Sequence, residues 1–226
     1  MVRAIEQMGW LARRFHLLLL VFILSVFLKG EAMAYEKPLN CRGLECAPYV
    51  VIHSQKDLEI RSYTKAIWMS TPPINSSSYK EAVDIGFNSL FAYIQGKNHQ
   101  RAKIEMTAPV LVDLFPSAGP FCYSSFAVHF YVPQKYQKNP PLSDQVHPAR
   151  LPKYRFAAVR QFGGFMNDTN IPLQASALKK SLKGTPWESA KHGGVGDPLP
   201  YSVAGYNSPY EYENRVNEVM LWFDKS

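Results

Sequence analysis

The spacing of apolar residues changes along the chain, and each change predicts a different kind of element. Short runs of β-branched and aromatic residues come first, divided by turn-forming residues, which is typical of strands. From residue 78 to residue 94 the apolar positions recur every three or four residues, as on one face of an amphipathic helix. Ser78 is suited to cap the start of this helix, with Glu81 three residues later, and Gly96 is suited to end it. The strands predicted before the helix are residues 49–52, 58–63 and 66–70.

The same order of elements recurs later in the chain. Two strands follow the first helix, and a proline-rich bridge at residues 133–152 leads to a strand, a helix, a glycine-rich linker at 193–196 and two more strands. We predict strands at residues 104–115, 125–132, 154–162, 201–206 and 218–223, and a helix at 173–182. This repetition predicts one domain, residues 49–224, with pseudo-repeated halves at about 49–133 and 153–224. Helices alternating with paired strands predict an α+β fold with helices on one face of a curved antiparallel sheet.

Residues 1–34 have the three-part pattern of a secretory signal peptide. A basic lead precedes an apolar run at residues 15–28, and small alanines follow at the positions that a signal peptidase reads. We predict cleavage before Tyr35 and a secretory-pathway or extracellular location, the endoplasmic reticulum included. The apolar run is shorter than the roughly 20 residues of a transmembrane helix, and an uncleaved signal anchor is the alternative. Residues 35–48 would form a cysteine-containing tail.

In a secretory location, cysteines can form disulfide bonds and asparagines in Asn-x-Ser/Thr triplets can carry glycans. Cys41 and Cys46 flank a turn-prone stretch and could close a small loop, or one of them could bond to Cys122. Three isolated cysteines lack the paired spacing of a metal site, so no metal site is predicted. Asn75 and Asn167 begin Asn-x-Ser/Thr triplets, which predicts a glycoprotein.

Charge and motif content argue against several classes of function. Lys and Arg outnumber Asp and Glu by 25 to 18, but they are spread out rather than gathered in the stripe of a nucleic-acid-binding protein. The chain has no Gly-x-Ser-x-Gly, no His-Glu-x-x-His and no P-loop. Cys122 and His129, seven residues apart on one strand, would point to opposite faces and make a poor catalytic pair. We predict a monomeric binding protein rather than an enzyme.

Five short motifs carry a resemblance to a known family. They are KIEMTAPV at residues 103–110, GPF at 119–121, FYVP at 130–133, RQFGGF at 160–165 and AGYNSP at 204–209. In this order they resemble the SOUL (haem-binding protein) family across about residues 41–224. The resemblance implies a distorted antiparallel β-barrel of two similar halves, flanked by two helices. It also implies reversible binding of a small-molecule partner, haem or another tetrapyrrole.

The resemblance places the binding site in a shallow apolar groove beside the first helix. Macrocycle faces would pack on Phe87 and Phe91, and basic side chains would neutralise the propionates. Lys80 and Arg61 are the basic residues predicted for that role here, with Arg215 a further candidate. Positions at which some relatives carry Arg or Lys hold Asp84, Ala92 and Glu211 in this chain. The position of a histidine suggested as iron ligand in some relatives holds Ser62, so no axial ligand is predicted.

The sequence therefore favours a non-catalytic carrier for a tetrapyrrole, with two alternatives open. One is a secreted module that recognises a protein or a glycan through loops at residues 133–152 and 193–200. The other is a general pocket for amphipathic organic ligands, because the doubled architecture also resembles bacterial effector-binding domains. Two aromatic residues at helical spacing are also what a buried helix face shows. The discriminating observation is therefore whether a concave, solvent-open apolar pocket exists beside Phe87 and Phe91 in the folded protein.

Overall fold

The computed structural model describes residue 41 and residues 43–116, 124–188 and 201–224. Within them the chain forms twelve strands and two α-helices, α1 at Tyr79–Ile94 and α2 at Asn170–Ser181. The strands are β1 (Glu45–Cys46), β2 (Tyr49–Gln55), β3 (Leu58–Tyr63), β4 (Ala66–Ser70), β5 (Ile74–Ser76), β6 (Thr107–Ala108), β7 (Val110–Phe115), β8 (Ser124–Tyr131), β9 (His147–Leu151), β10 (Phe156–Phe162), β11 (Tyr201–Gly205) and β12 (Asn217–Phe223). The predicted signal peptide at residues 1–34, Cys122 and the glycine-rich linker lie outside the described residues.

Ten of the described strands form one antiparallel sheet, and their order shows the repeat. The sheet runs β2-β3-β10-β12-β11-β7-β8-β4-β9, and β5 also pairs with β8. The order is symmetric about the β11–β7 pair. β7 and β11 are each the first strand of this sheet to follow a helix, and β8 and β12 are the second. Next on the two sides come β4, which precedes α1 with β5 between them, and β10, which directly precedes α2. Both strands at the ends of the path contribute to one cleft, so the sheet curls toward a barrel without closing. The predicted α+β fold, a distorted barrel with two helices, is confirmed.

Strand pairing in the sheet crosses the boundary between the two halves. β3 belongs to the first half but pairs with β10 of the second, whereas β9 precedes β10 and pairs with β4 of the first. The prediction that residues 133–152 are only a bridge is therefore wrong at β9. Pro148 lies in this strand, and proline has no backbone N–H to donate, so it is restricted to edge strands. β9 is such an edge strand, which is why the sequence pattern did not reveal it.

A proline also divides a strand that the sequence predicted as continuous. Residues 104–115 form two strands, β6 and β7, with Pro109 between them. β6 turns to pair in parallel with β1, away from the large sheet. β1 and β5 were not predicted, because two or three residues are too few to show an alternating pattern.

Both faces of the sheet are covered by apolar side chains. On β7, Val112 and Leu114 join the larger cluster, which also contains the buried faces of α1 and α2. Leu111 points the opposite way and joins a second cluster with Trp68 and Tyr131. This division follows from the strand period of two, which sends successive side chains to opposite faces. The helices therefore lie on one face of the sheet, and a separate apolar cluster lies on the other.

Helix α1 begins and packs as the sequence predicted. The hydroxyl of Ser78 accepts the backbone N–H of Glu81, and Asp168, from the loop before α2, accepts the N–H of Tyr79 at 2.6 Å. In the middle of the helix, a Cβ on Gly86 would lie 2.3 Å from the Cγ2 of Val128 in β8. Only glycine permits so close an approach of helix to sheet. The orientation of α1 on the sheet is thus fixed at its start and at its centre.

A disulfide bond closes a small loop in the N-terminal tail, on the face opposite the helices. Cys41 bonds to Cys46, which confirms one of the two predicted pairings and excludes a bond from either to Cys122. Both cysteines lie in the second apolar cluster. The tail therefore belongs structurally to the folded domain.

Candidate functional site

The outward side of α1 carries the aromatic pair that the sequence singled out. The rings of Phe87 and Phe91 are stacked, with centroids 5.7 Å apart and planes 13° from parallel. Phe87 is partly buried and its ring meets that of Phe130 edge-on at 5.4 Å, whereas Phe91 is 42% exposed. Phe87 packs against the core, and Phe91 is open to solvent. The pair is therefore not a fully buried helix face.

Lys80 lies on the same stripe of α1 as the aromatic pair. Seven residues separate Lys80 from Phe87, which is two helical turns or about 10 Å along the axis. The ammonium group of Lys80 is 2.7 Å from the carboxylate of Asp84, on the next turn, and both side chains are exposed. Lys80 thus lies on the same side of α1 as Phe87 and Phe91, but its ammonium group pairs with the carboxylate of Asp84.

Arg61 is not part of this stripe, which corrects its predicted place in the groove. Its neighbour Ile60 points into the cluster that contains α1, so Arg61 points to the opposite face of the sheet. The side chain is fully buried and forms two hydrogen bonds to Glu218, from Nη1 at 3.0 Å and Nη2 at 2.8 Å. A guanidinium held in this way cannot reach a ligand beside α1.

The ion pair of Arg61 and Glu218 is embedded in a polar cluster. Tyr206 and Gln161 both donate to the Glu218 carboxylate, at 2.8 and 3.1 Å. Arg61 also donates to Glu59 at 2.8 Å and lies 4.2 Å above the ring centre of Tyr49. Burial acts to lower the pKa of the Arg61 guanidinium, but Glu218, Tyr63 and Tyr49 together outweigh it and the pKa is raised. The cluster is therefore charged, paired and structural.

Arg215, the further candidate for the propionates, is engaged in the penultimate loop. Its Nη1 donates to the backbone carbonyls of Ser208 and Glu211, and its guanidinium lies 4.2 Å above the ring centre of Phe165. Among the predicted basic partners, Lys80 is thus the one that accompanies the aromatic pair.

The histidines within the described ranges lie in four different surroundings. The ring of His53 packs on Trp187, and His99 pairs with Asp144. His129 is buried, and His147 lies exposed on β9. His192 lies outside the described residues.

His129 belongs to a buried serine–histidine–aspartate arrangement. Its Nδ1 is 2.7 Å from the hydroxyl of Ser70, and its Nε2 is 3.3 Å from the carboxylate of Asp113. Burial acts to raise the pKa of Asp113, but the neighbouring His129 and Ser202 outweigh it and hold the pKa below its usual range. Ser70 is 2% exposed and His129 4% exposed, so a substrate cannot reach the hydroxyl. The arrangement ties β4, β7, β8 and β11 together.

A cleft lies on the face of the sheet opposite the helices, and the sequence did not predict it. The space inside it is about 20 Å³, which is room for about one water molecule. Its walls come from strands far apart in sequence and from the tail that contains Cys46. The lining residues are Cys46, Ala47, Tyr49, Tyr63, Thr64, Trp68, Pro109, Leu111, Leu151, Pro152, Tyr206, Met220 and Trp222. Its aromatic residues come from separate segments of the chain, so no local pattern in the sequence marks the cleft.

Neither a membrane helix nor a clustered metal site is found in the part of the chain that the structure describes. No helix there is long and apolar enough to cross a membrane. No group of three or more His, Cys, Asp or Glu side chains there is placed to hold a metal ion.

Comparison with known proteins agrees with the fold and with the motifs. The sequence model described as SOUL heme-binding protein matches residues 44–222. Human heme-binding protein 2 is 39% identical over 166 residues, which cover 72% of this chain and 76% of the human one. Mouse heme-binding protein 1 is 28% identical over 153 residues, 67% of this chain and 77% of that one. The chain belongs to the SOUL heme-binding protein family.

A solved structure gives a more distant likeness. A hydrolase from Listeria innocua superposes with a TM-score of 0.45 and 8% identity, over 75% of this chain and 93% of that one. A likeness at this level carries no argument about function.

The buried ion pair generates the first testable prediction. Glu218→Gln leaves the Arg61 guanidinium buried without its main counter-charge, and we expect the free energy of unfolding to fall by about 3–5 kcal/mol. Urea unfolding followed by far-UV circular dichroism measures the change. Glu59→Gln is the matched control, because Glu59 contacts the same guanidinium from a partly exposed position, and about 1 kcal/mol or less is expected. Equal losses in the two variants would contradict the structural role of Glu218.

Proposed function

We propose that this protein is a non-catalytic carrier that binds haem or a related tetrapyrrole reversibly at the exposed stripe of α1. The observation that carries the proposal is the stacked pair of Phe87 and Phe91, half-open to solvent in a member of a haem-binding family. A partly exposed aromatic surface on a rigid helix suits the flat face of a macrocycle, since both surfaces lose contact with water when they meet.

The residues of the stripe fit two of the three parts of haem, namely the macrocycle and the propionates but not the iron. The aromatic pair fits the macrocycle face, and Lys80, about 10 Å along the helix, fits the reach of a propionate. No residue of the stripe is assigned as an iron ligand. The proposed binding thus rests on the ring face and on charge, which favours loading and release over permanent retention.

The proposed role needs no chemistry from the protein. The serine–histidine–aspartate arrangement is closed to substrates, and the relatives named above are called heme-binding proteins. We assign the protein a carrier or buffering role and expect it to act as a monomer.

The alternative role as a protein- or glycan-recognition module gains no specific support. Residues 133–152, one of its proposed loops, contain β9, and Gln137 of the same segment donates to the carbonyl of Ile67 at 2.9 Å. Part of this segment is packed against the sheet, and part of it, Leu142 included, is exposed. Residues 193–200, the other loop, lie outside the described residues.

We further propose that the protein enters the secretory pathway and is a glycoprotein. The Cys41–Cys46 disulfide supports an oxidising compartment. Asn75 is exposed on β5, and Asn167 is exposed in the loop before α2, so both acceptor triplets are accessible.

Hemin titration of the purified mature protein tests the carrier proposal. We expect a saturable Soret shift at micromolar hemin, and Phe87→Ala and Phe91→Ala should each weaken the affinity about 5- to 10-fold, because each removes about half of the aromatic surface. Ile85→Ala is the matched control. Ile85 is 50% exposed on the same helix, but it lies two residues from Phe87 and hence roughly 160° around the axis. Absence of a saturable shift, or an equal loss in the Ile85 variant, would refute the site.

Asp84→Asn tests the charge that accompanies the aromatic pair. Removing the carboxylate frees Lys80 and lowers the repulsion of a propionate, so hemin affinity should rise about 2-fold at low salt and less at high salt. Lys80→Gln should have the opposite sign. The same Soret titration measures both variants, and an unchanged affinity in both would remove Lys80 from the site.

Expression of the whole chain in a eukaryotic cell tests the secretory proposal. We expect secreted or lumenal protein that begins at Tyr35 by N-terminal sequencing, and a fall in mass on enzymatic removal of N-glycans. Leu19→Arg interrupts the apolar run and should abolish both results. A cytosolic product that retains residues 1–34 would contradict the proposal.

A further inference from the structure

Two tyrosines are the most exposed aromatic residues in the part of the chain that the structure describes. Tyr210 is 83% exposed and Tyr212 is 73% exposed, and both lie in the loop between β11 and β12, residues 206–216. Tyr206, at the start of the same loop, is buried, and its hydroxyl donates to Glu218. The structure therefore separates two phenol groups that another protein can reach from one that it cannot.

Hydrogen bonds within the loop fix its fold. The side-chain oxygen of Asn207 accepts the backbone N–H of Val216 at 2.7 Å, which ties the two ends of the loop together. Nη1 of Arg215 donates to the backbone carbonyls of Ser208 at 2.8 Å and Glu211 at 2.6 Å. The two tyrosines are therefore displayed by a folded loop of defined shape.

The charge beside the two tyrosines is opposite to that of the chain as a whole. Glu211 lies between them and Glu213 follows them, although Lys and Arg outnumber Asp and Glu by 25 to 18 in the chain. Glu213 is exposed, whereas the basic residue of the loop, Arg215, is engaged by backbone carbonyls and by the ring of Phe165. The exposed phenols thus lie in an acidic segment of a basic protein.

Tyr154 provides a comparison within the same chain. It is 47% exposed, but it lies between Lys153 and Arg155. An enzyme that recognises the charge around its acceptor would therefore distinguish Tyr154 from the two tyrosines of the loop.

We propose that Tyr210 and Tyr212 are acceptors for enzymatic O-sulfation by a nucleotide phosphosulfate. The phenol oxygen forms a bond to sulfur, the bond from that sulfur to the phosphate oxygen of the donor breaks, and the phenol proton passes to a base of the transferase. The products are an aryl sulfate and a nucleotide phosphate, and nothing is oxidised or reduced. A transferase that binds such a polyanionic donor needs basic side chains, which attract an acidic acceptor segment and repel a basic one.

This inference rests on the proposed entry into the secretory pathway, because the lumen of that pathway is where protein tyrosines are sulfated. It is independent of haem binding at the stripe of α1. Each sulfate would add one negative charge beside Glu211 and Glu213, on a loop that already differs in charge from the rest of the chain.

Sulfation of the purified, folded mature protein tests the acceptor site directly. The protein is incubated with a tyrosylprotein sulfotransferase and a labelled phosphosulfate donor, and the modified tyrosines are located by peptide mass spectrometry. We expect sulfate on Tyr210 and Tyr212 and none on Tyr154 or Tyr206. Tyr210→Phe and Tyr212→Phe should each remove one of the two sulfates, whereas Tyr154→Phe should change nothing.

A charge variant tests why the loop is chosen. Glu213→Gln should lower the initial rate of sulfation of the loop about 3- to 10-fold at low salt and less at high salt, because it weakens the attraction to the basic transferase site. Glu105→Gln is the matched control, since it removes the same charge from an exposed position outside the loop, and its rate should stay the same. Equal losses in the two variants would contradict recognition of the acidic loop.

The whole chain expressed in a eukaryotic cell that contains the transferase gives the second readout. In secreted protein, the peptide with Tyr210 and Tyr212 should carry sulfate that resists phosphatase. Secreted protein without sulfate, a modification that phosphatase removes, or equal labelling of Tyr154 in the purified reaction would overturn the proposal. A product that stays in the cytosol, together with sulfation of the purified protein on the loop, would refute the secretory proposal and support the acceptor site.

Discussion

The buried ion pair between Arg61 and Glu218 is the interaction on which the rest of the structure depends. Arg61 lies on β3 and Glu218 on β12, and β10 runs between these two strands. The pair therefore spans three neighbouring strands and connects the first half of the chain with the second. Tyr206 adds β11 through its bond to the same carboxylate. Because a buried charge is tolerated only with a partner in good geometry, this pair requires the four strands to keep one register.

The register of these strands matters because β3 and β9 each pair with a strand from another part of the chain. β3 of the first half pairs with β10 of the second, and β9, from the segment between the halves, pairs with β4 of the first. Strand pairing therefore crosses the boundary between the halves. The helices cover one face of this sheet, and the N-terminal tail with its disulfide packs on the other face. The two sides of the sheet therefore present two different surfaces. The outer stripe of α1 carries rings and charges, whereas the inner cleft has rings and no charge.

The elements themselves were largely predictable from the chain. The apolar spacing, the Ser78 cap and Gly96 placed α1 within one residue of its observed ends, and β3 and β4 were predicted with the observed bounds. The stacking of Phe87 on Phe91 follows from their spacing of four residues on a helix. Local rules suffice here because caps, turns and periods depend on neighbours in sequence. They failed at β9, where Pro148 is acceptable only because the strand is an edge of a distant partner.

The sequence by itself determined the family, the two helices, most strands and the stripe that places Lys80 beside the aromatic pair. It did not determine the place of Arg61, since a basic residue on a strand looks the same whether its counter-charge is near or absent. Only the tertiary structure brought Glu218 to Arg61 across 157 positions of sequence. The cleft around Trp68 likewise appeared only on folding, because its walls come from both halves and from the tail. The physical reason is the same in both cases: pairing of buried charges and enclosure of a cavity depend on distances that sequence neighbours do not fix.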